Sequence, residues 1–243
     1  MKSTKIEKTP LSLTDIKYRT PPFDKKRLLG VGHPRFGSGY LSKVLSAAGL
    51  QVGHERVRAD GAVSWMFAVS DWVYPYGDRH SGHYTSFEFN FIFIRNPFSA
   101  LPSCVRENRA VNSFKFRRWH IYNAFGVDIN EFENEFDRAA ISIIYWYKLC
   151  EQANPQTFVN IDNKESLRGF LAACGVHDNE LIEEALKIPS SNTSAQKWGI
   201  AQHERILSKE TLKKMSPMVL EKLIALAETY GYVEYVKTLK NTL

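Results

Sequence analysis

The stretch Arg27-Leu28-Leu29-Gly30-Val31-Gly32-His33-Pro34-Arg35-Phe36-Gly37-Ser38-Gly39-Tyr40-Leu41 decides how this chain is read. Residues 27–32 are a short apolar run that suits a buried strand. His33 to Gly39 form a turn cluster rich in glycine, with one proline. Leu41, Val44, Leu45 and Ala48 then recur at helical spacing, and Gly49 stops the helix as the residue after its C-cap. Residues 51–55 follow as a second strand. Strand, glycine loop, helix and strand make one βαβ unit, which predicts a parallel sheet with right-handed crossovers. Within the loop, Gly32 and Gly37 match the first half of the phosphate-loop pattern GxxxxGK[ST], in the strand-to-helix context that pattern requires. Amide groups of residues 37–41, at a helix N-terminus, can cradle an anion. The lysine of the full pattern is missing, because Ser38 and Gly39 follow Gly37, and the loop's cation is Arg35 instead. Packing alone also explains a glycine-rich turn of this kind.

Outward from this unit, residues 1–25 are polar and end near Thr20-Pro21-Pro22, which reads as an arm ahead of a single domain spanning 26–243. Residues 61–70 are expected to form a short helix and 72–84 an aromatic loop. Residues 87–94, Phe-Glu-Phe-Asn-Phe-Ile-Phe-Ile, are a strong strand running into Arg95-Asn96-Pro97, with a helix over 98–107. A long helix covers 133–152, with Phe136, Ala140, Ile143, Ile144 and Tyr147 along one side and Trp146 in the core. Another strand covers 157–161, and helices follow near 164–174, 178–187, 208–215 and 217–230. This order predicts an α/β layered domain with a helical C-terminal region.

Composition narrows the function classes. With 44% hydrophobic residues in 243, the chain can form a core, so whole-chain disorder is excluded. The charge of +6, from 32 Lys and Arg against 26 Asp and Glu, suits an anionic ligand but provides no nucleic-acid stripe. Cys104, Cys150 and Cys174 are odd in number and widely spaced, which argues for buried thiols rather than a disulfide or metal framework. His80 and His83, with Asp78 nearby, lack a fourth metal ligand. No apolar run approaches the roughly 18 residues of a membrane span. Without a signal peptide's apolar core at the N-terminus, a cytoplasmic location is expected.

His33-Pro34-Arg35-Phe36-Gly37-Ser38-Gly39-Tyr40-Leu41 resembles the phosphosulfate-binding loop of sulfotransferases, P-[KR]-x-G-[ST]-x-[WFY]-L. Arg95, at a strand end with Ser103 eight residues on, resembles the same family's 3′-phosphate signature. The resemblance covers residues 27–107 well and implies a P-loop-like three-layer fold with a mainly parallel sheet. It implies 3′-phosphoadenosine 5′-phosphosulfate as donor, no required metal, and a hydroxyl-bearing acceptor. Arg35 would then contact the sulfuryl bridge, and Phe36, Gly37, Ser38, Gly39 and Tyr40 would complete the loop. Arg95 and Ser103 would hold the 3′-phosphate. Ser38-Gly39 stands where the cytosolic members have Thr-Thr, and Arg35 in place of lysine brings the chain nearer the carbohydrate-type members.

Sulfuryl transfer to a hydroxyl needs a base at the acceptor oxygen, and cations or N–H donors on the leaving phosphate. Two bases are open. Glu55 closes the second strand in Gly53-His54-Glu55, a pattern some bacterial carbohydrate-type members share, while His54 is expected on the opposite face of a regular strand. His83 lies roughly where cytosolic members keep a histidine. The polar loop 190–199 could bring Lys197 to the nucleotide or be a surface connector. Lys115-Phe116-Arg117-Arg118-Trp119-His120 could receive a sugar or acidic acceptor, or be an exposed mobile loop. Two further readings stay open: a kinase-like phosphoryl transferase, which would need a lysine after Gly37 and an acidic Mg²⁺ site, and a non-catalytic nucleotide- or glycan-binding module.

Overall fold

Among the described residues, five parallel strands form one sheet, and the direction in which the chain leaves them defines its cleft. The computed structural model describes residues 24–69, 75, 85–189 and 207–241. The strands are β1 (Asp24–Val31), β2 (Val52–His54), β3 (Gly61–Val63), β4 (Thr85–Ile94) and β5 (Thr157–Asn160), in the spatial order β2-β3-β1-β4-β5. Every ladder is parallel, the longest running between β1 and β4 from Asp24 opposite Thr85 to Val31 opposite Ile92. Leu28, Leu29, Val31, Phe91, Ile92 and Phe93 are all buried on consecutive or near-consecutive positions, the pattern of a parallel sheet covered on both faces.

The helices are α1 (Ser38–Ala47), α2 (Pro97–Glu107), α3 (Val111–Phe125), α4 (Glu135–Gln152), α5 (Lys164–Ala173), α6 (Asn179–Leu186), α7 (Lys209–Lys213), α8 (Pro217–Thr229) and α9 (Val233–Lys240). Helix α1 packs on α6, which packs on α5, while α4 packs on α2, α3 and α8. From β1 the chain crosses through α1 to β2 on one side of the sheet. From β4 it crosses through α2, α3 and α4 to β5 on the other. Right-handed crossovers in opposite directions place their helices on opposite faces, so the three-layer α/β expectation holds. They also make the boundary between β1 and β4 a topological switch point, the place where ligands bind beyond the carboxyl ends of an open sheet.

Four local expectations need correction. Strand β1 begins at Asp24, three residues before the apolar run, because pairing with Thr85–Phe87 of β4 extends it. Residues 61–70 are not a helix: Gly61–Val63 insert as β3 between β1 and β2, and only Met66–Ala68 take a helical (3₁₀) turn. The basic segment 115–120 is neither loop nor mobile, since it lies inside α3 with Arg117 fully buried and Arg118 bonded to Asp128 at 2.6 and 2.5 Å. A last helix, Val233–Lys240, was not anticipated. The loop expected over 72–84 (Pro75 apart), the arm up to residue 23, and the 190–199 loop lie outside the described residues, as do His83 and Lys197.

Candidate active site

Both motif segments leave the sheet at the switch point, and α4 braces them there. Trp146 Nε1 donates to Gly32 O at 3.0 Å, and Tyr147 Oη donates to Phe93 O at 2.9 Å, so adjacent residues of one helix hold the ends of β1 and β4. Behind the loop, His33 is fully buried. Its Nδ1 lies 2.7 Å from Pro34 O, which can only accept, so Nδ1 carries the proton. Its Nε2 then accepts, 3.4 Å from Arg117 Nη1 and 3.1 Å from Ser142 Oγ. Arg117 also donates to Ser142 Oγ, and at 3.0 Å to Asn108 Oδ1. Burial, with the adjacent Arg117 charge, holds the His33 imidazole well below its ordinary value of 6.5. Phe36 is buried as well, its ring edge-on to His33 and Tyr147 and its N–H given to His33 O at 3.2 Å. Expected as a ligand contact, Phe36 instead has both its side chain and its N–H turned into the protein.

The front of the loop is polar. Arg35 adopts a left-handed φ of 73° and Gly37 one of 96°; a Cβ on Gly37 would also lie 2.3 Å from Ile161 Cδ1. These turns reverse the chain so that α1 starts at Ser38, and its ladder begins with Leu41 N donating to Gly37 O at 2.9 Å. The N–H groups of Ser38, Gly39 and Tyr40 precede that first bond and have no intrahelical acceptor. Arg35 Nε donates to Ser103 Oγ at 3.0 Å, which ties the loop to α2. Two residues expected around one nucleotide are thus in direct contact.

Arg95 leaves β4 beside them. Its Nε is buried and has no hydrogen-bond partner among the described residues. Asn96 caps α2 through its side chain, while its own N–H donates to Asp162 Oδ2 at 2.7 Å. Tyr232 Oη donates to Asn160 Oδ1 at 2.7 Å and Asp162 Oδ2 at 3.0 Å. Cys104 follows Ser103 in α2 and is fully buried. Burial pushes its thiol up to about 12, against opposing pulls from Arg117, Arg35 and Arg95.

Glu55 reaches the loop from β2. A left-handed φ of 57° turns it out of the strand pleat, and it accepts from Ser38 Oγ at 3.2 Å and from Ser64 Oγ at 2.8 Å. His54 was expected on the far face. The three-residue strand ends at His54 and the alternation ends with it, so both side chains converge: His54 Nε2 lies 3.0 Å from Ser38 Oγ and 3.2 Å from Glu55 Oε1. A Cβ on Gly39 would stand 3.5 Å from His54 Nε2, ordinary van der Waals contact, so the imidazole lies directly against the start of α1. Ser64 and Ser142 carry no signal in the sequence, and Arg117, expected in an acceptor-facing or mobile segment, is instead buried behind the loop. Nothing local marks them: Ser64 reaches Glu55 only because β3 pairs with β2, and Arg117 and Ser142 meet His33 by packing across the fold.

Among the described residues, no group of three His, Cys, Asp or Glu side chains is arranged to hold a metal, and no helix is long and apolar enough to cross a membrane. No protein-family model and no curated protein matches the chain. Among solved structures, it is similar to mouse sulfotransferase SULT7A1 complexed with PAP, at 12% identity and a TM-score of 0.41, over 95% of this chain and 92% of that one.

Proposed function

We propose that this chain is an enzyme, with residues 26–243 acting as one domain, that transfers a sulfuryl group from 3′-phosphoadenosine 5′-phosphosulfate to a hydroxyl of a carbohydrate, glycolipid or related small acceptor. The observation that carries the reading is Arg95 at the end of β4, whose Nε is buried and has no hydrogen-bond partner among the described residues, while Arg35 of the neighbouring loop is bonded to Ser103. A buried guanidinium nitrogen left without an acceptor is costly unless a ligand atom completes it, and the rest of the Arg95 side chain is only half-buried, open to an anion. In this reading Arg95 and Ser103 take the 3′-phosphate. Arg35 and the amides from Gly37 to Tyr40 take the phosphosulfate, where charge grows on the leaving phosphate. His54 and Glu55, at the loop's edge, form the proton-accepting pair for the acceptor hydroxyl. Lys197 is assigned to the nucleotide, and His83 is kept as the alternative general base, by family resemblance alone. A kinase-like reading is less well supported, because Ser38 stands where the phosphate-loop lysine would be.

Calorimetric titration with 3′-phosphoadenosine 5′-phosphate, beside ATP with Mg²⁺, tests the reading. Micromolar binding of the bisphosphate with little for ATP is expected. Arg95→Ala should weaken the bisphosphate by about 10- to 100-fold, the value of a charged hydrogen bond, and leave 5′-AMP unchanged. Preference for ATP would favour phosphoryl transfer. Failure to bind either, or equal losses for both adenosine ligands in Arg95→Ala, would defeat the assignment.

A further inference from the structure

Glu55 is poorly placed to act alone as the base. Each of its oxygens already accepts a serine hydroxyl, Oε1 from Ser38 and Oε2 from Ser64, and its side chain is only 13% exposed. The neighbouring imidazole is half exposed, at 50%. Its Nε2 faces two oxygens, Ser38 Oγ at 3.0 Å and Glu55 Oε1 at 3.2 Å. Ser38 spends its one hydrogen on Glu55, so only lone pairs remain for Nε2 to meet. A bare nitrogen lone pair facing a carboxylate and a hydroxyl lone pair would be repelled by both, and Nε2 must therefore carry the proton. The neutral ring then has its basic lone pair on Nδ1, and Nδ1 makes no hydrogen bond among the described residues.

We infer that His54 Nδ1, held in this tautomer by Glu55, is the atom that takes the acceptor's proton, and that Glu55 is a positioning residue. This rests on the sulfuryl-transfer reading above. The carboxylate does for the ring what a buried acid does for any catalytic imidazole: it selects the tautomer, fixes the plane and stabilises the imidazolium that forms. In the step itself, the acceptor oxygen bonds to sulfur as its proton passes to Nδ1. The bond from sulfur to the bridging oxygen breaks, and the electron pair leaves on the 5′-phosphate of the bisphosphate. The imidazolium returns its proton to solvent through its exposed edge. Ser38 connects the two halves of the site, since its amide belongs to the anion cradle and its hydroxyl to the base pair.

The test uses the full chain with ¹⁵N-labelled histidine, and the variants His54→Gln and Glu55→Gln. Glutamine at 54 can keep a donor near the Nε2 position but has no basic nitrogen, and the site lies at an exposed strand end where folding is not at stake. Imidazole ¹⁵N shifts above neutral pH are expected to show the Nε2–H tautomer for His54 in the wild type, with that preference weakened in Glu55→Gln. Release of sulfate from 3′-phosphoadenosine 5′-phosphosulfate, with water as the probe acceptor, is expected to fall by about 10²-fold or more in His54→Gln. Calorimetric affinity for the bisphosphate product should stay within about threefold in both variants, as it must if neither residue holds the nucleotide. A wild-type Nδ1–H tautomer would overturn the inference. So would sulfate release that survives in His54→Gln while Glu55→Gln abolishes it, which would return the proton to the carboxylate. A wild type that binds no bisphosphate defeats the donor reading itself, and with it the base assignment, whichever tautomer is seen.

Discussion

The two sides of the loop after β1 are built on opposite principles. Its back is buried: His33, Phe36, Trp146 and Tyr147 are fully covered, and His33, Trp146 and Tyr147 each meet a hydrogen-bond partner within the protein. Its front is partly open, with Arg35, Gly37, Gly39 and Tyr40 half-buried and amides that have no acceptor within their helix. A loop built on strained turns needs a rigid support, because left-handed φ values at Arg35 and Gly37 persist only where packing over-determines them. The back therefore stores stability and the front spends little of it. Changes at the back should register in folding and changes at the front in chemistry.

The largest expected effect comes from breaking the back. Trp146→Ala removes a fully buried indole and the hydrogen bond to Gly32 O. It should cost about 3–5 kcal/mol of stability, read as a lower midpoint in chemical denaturation. A loss under about 1 kcal/mol would mean the loop does not lean on α4. Next, Arg35→Ala at the front should lower sulfuryl transfer by about 10²–10³-fold, as does loss of one donor to a developing anion. Its denaturation midpoint should stay close to the wild type's, since alanine inherits the same left-handed strain. Full activity in that variant would remove Arg35 from the site.

The smallest effect sharpens the contrast through pH. Folded His33 stays neutral well below 6.5, while an unfolded chain protonates its imidazole near that value. The unfolded state then binds more protons as pH falls, so stability present above about 6.5 is lost below it, by up to about 1.4 kcal/mol per pH unit. Thermal midpoints measured at pH 7.5 and 5.5 should diverge more in the wild type than in His33→Gln. Equal slopes would show that His33 is not buried neutral.

Where the sequence could be read, the signal was local. The apolar run of β1, the glycine turn, the period of α1 and the Phe/Ile run of β4 each lie within a dozen residues, and each forms near its expected place. Arg35 and Ser103 were expected around one ligand because two motifs ended two strands, and they meet at 3.0 Å. Where the reading went astray, the deciding partner was distant. Gly61–Val63 is too short to show a period, and becomes a strand only because β1 and β2 pair with it on either side. The segment around Arg117 shows no clean apolar face, so nothing in it reveals that the arginine turns inward to His33 and Ser142. His54 was assigned by strand alternation to the wrong face, since alternation cannot foresee that the strand stops there.

The layered α/β architecture, the parallel sheet, the glycine turn between β1 and α1 and the arginine that follows β4 were legible in the chain alone, because they follow from short-range pattern and backbone chemistry. Only the tertiary structure decided what stands behind the loop and beside it: the insertion of β3, the buried Arg117–His33–Ser142 brace, and the convergence of Ser38, His54, Glu55 and Ser64. Those contacts join residues up to 109 positions apart. Such contacts depend on which elements meet across the fold, and no local period encodes that.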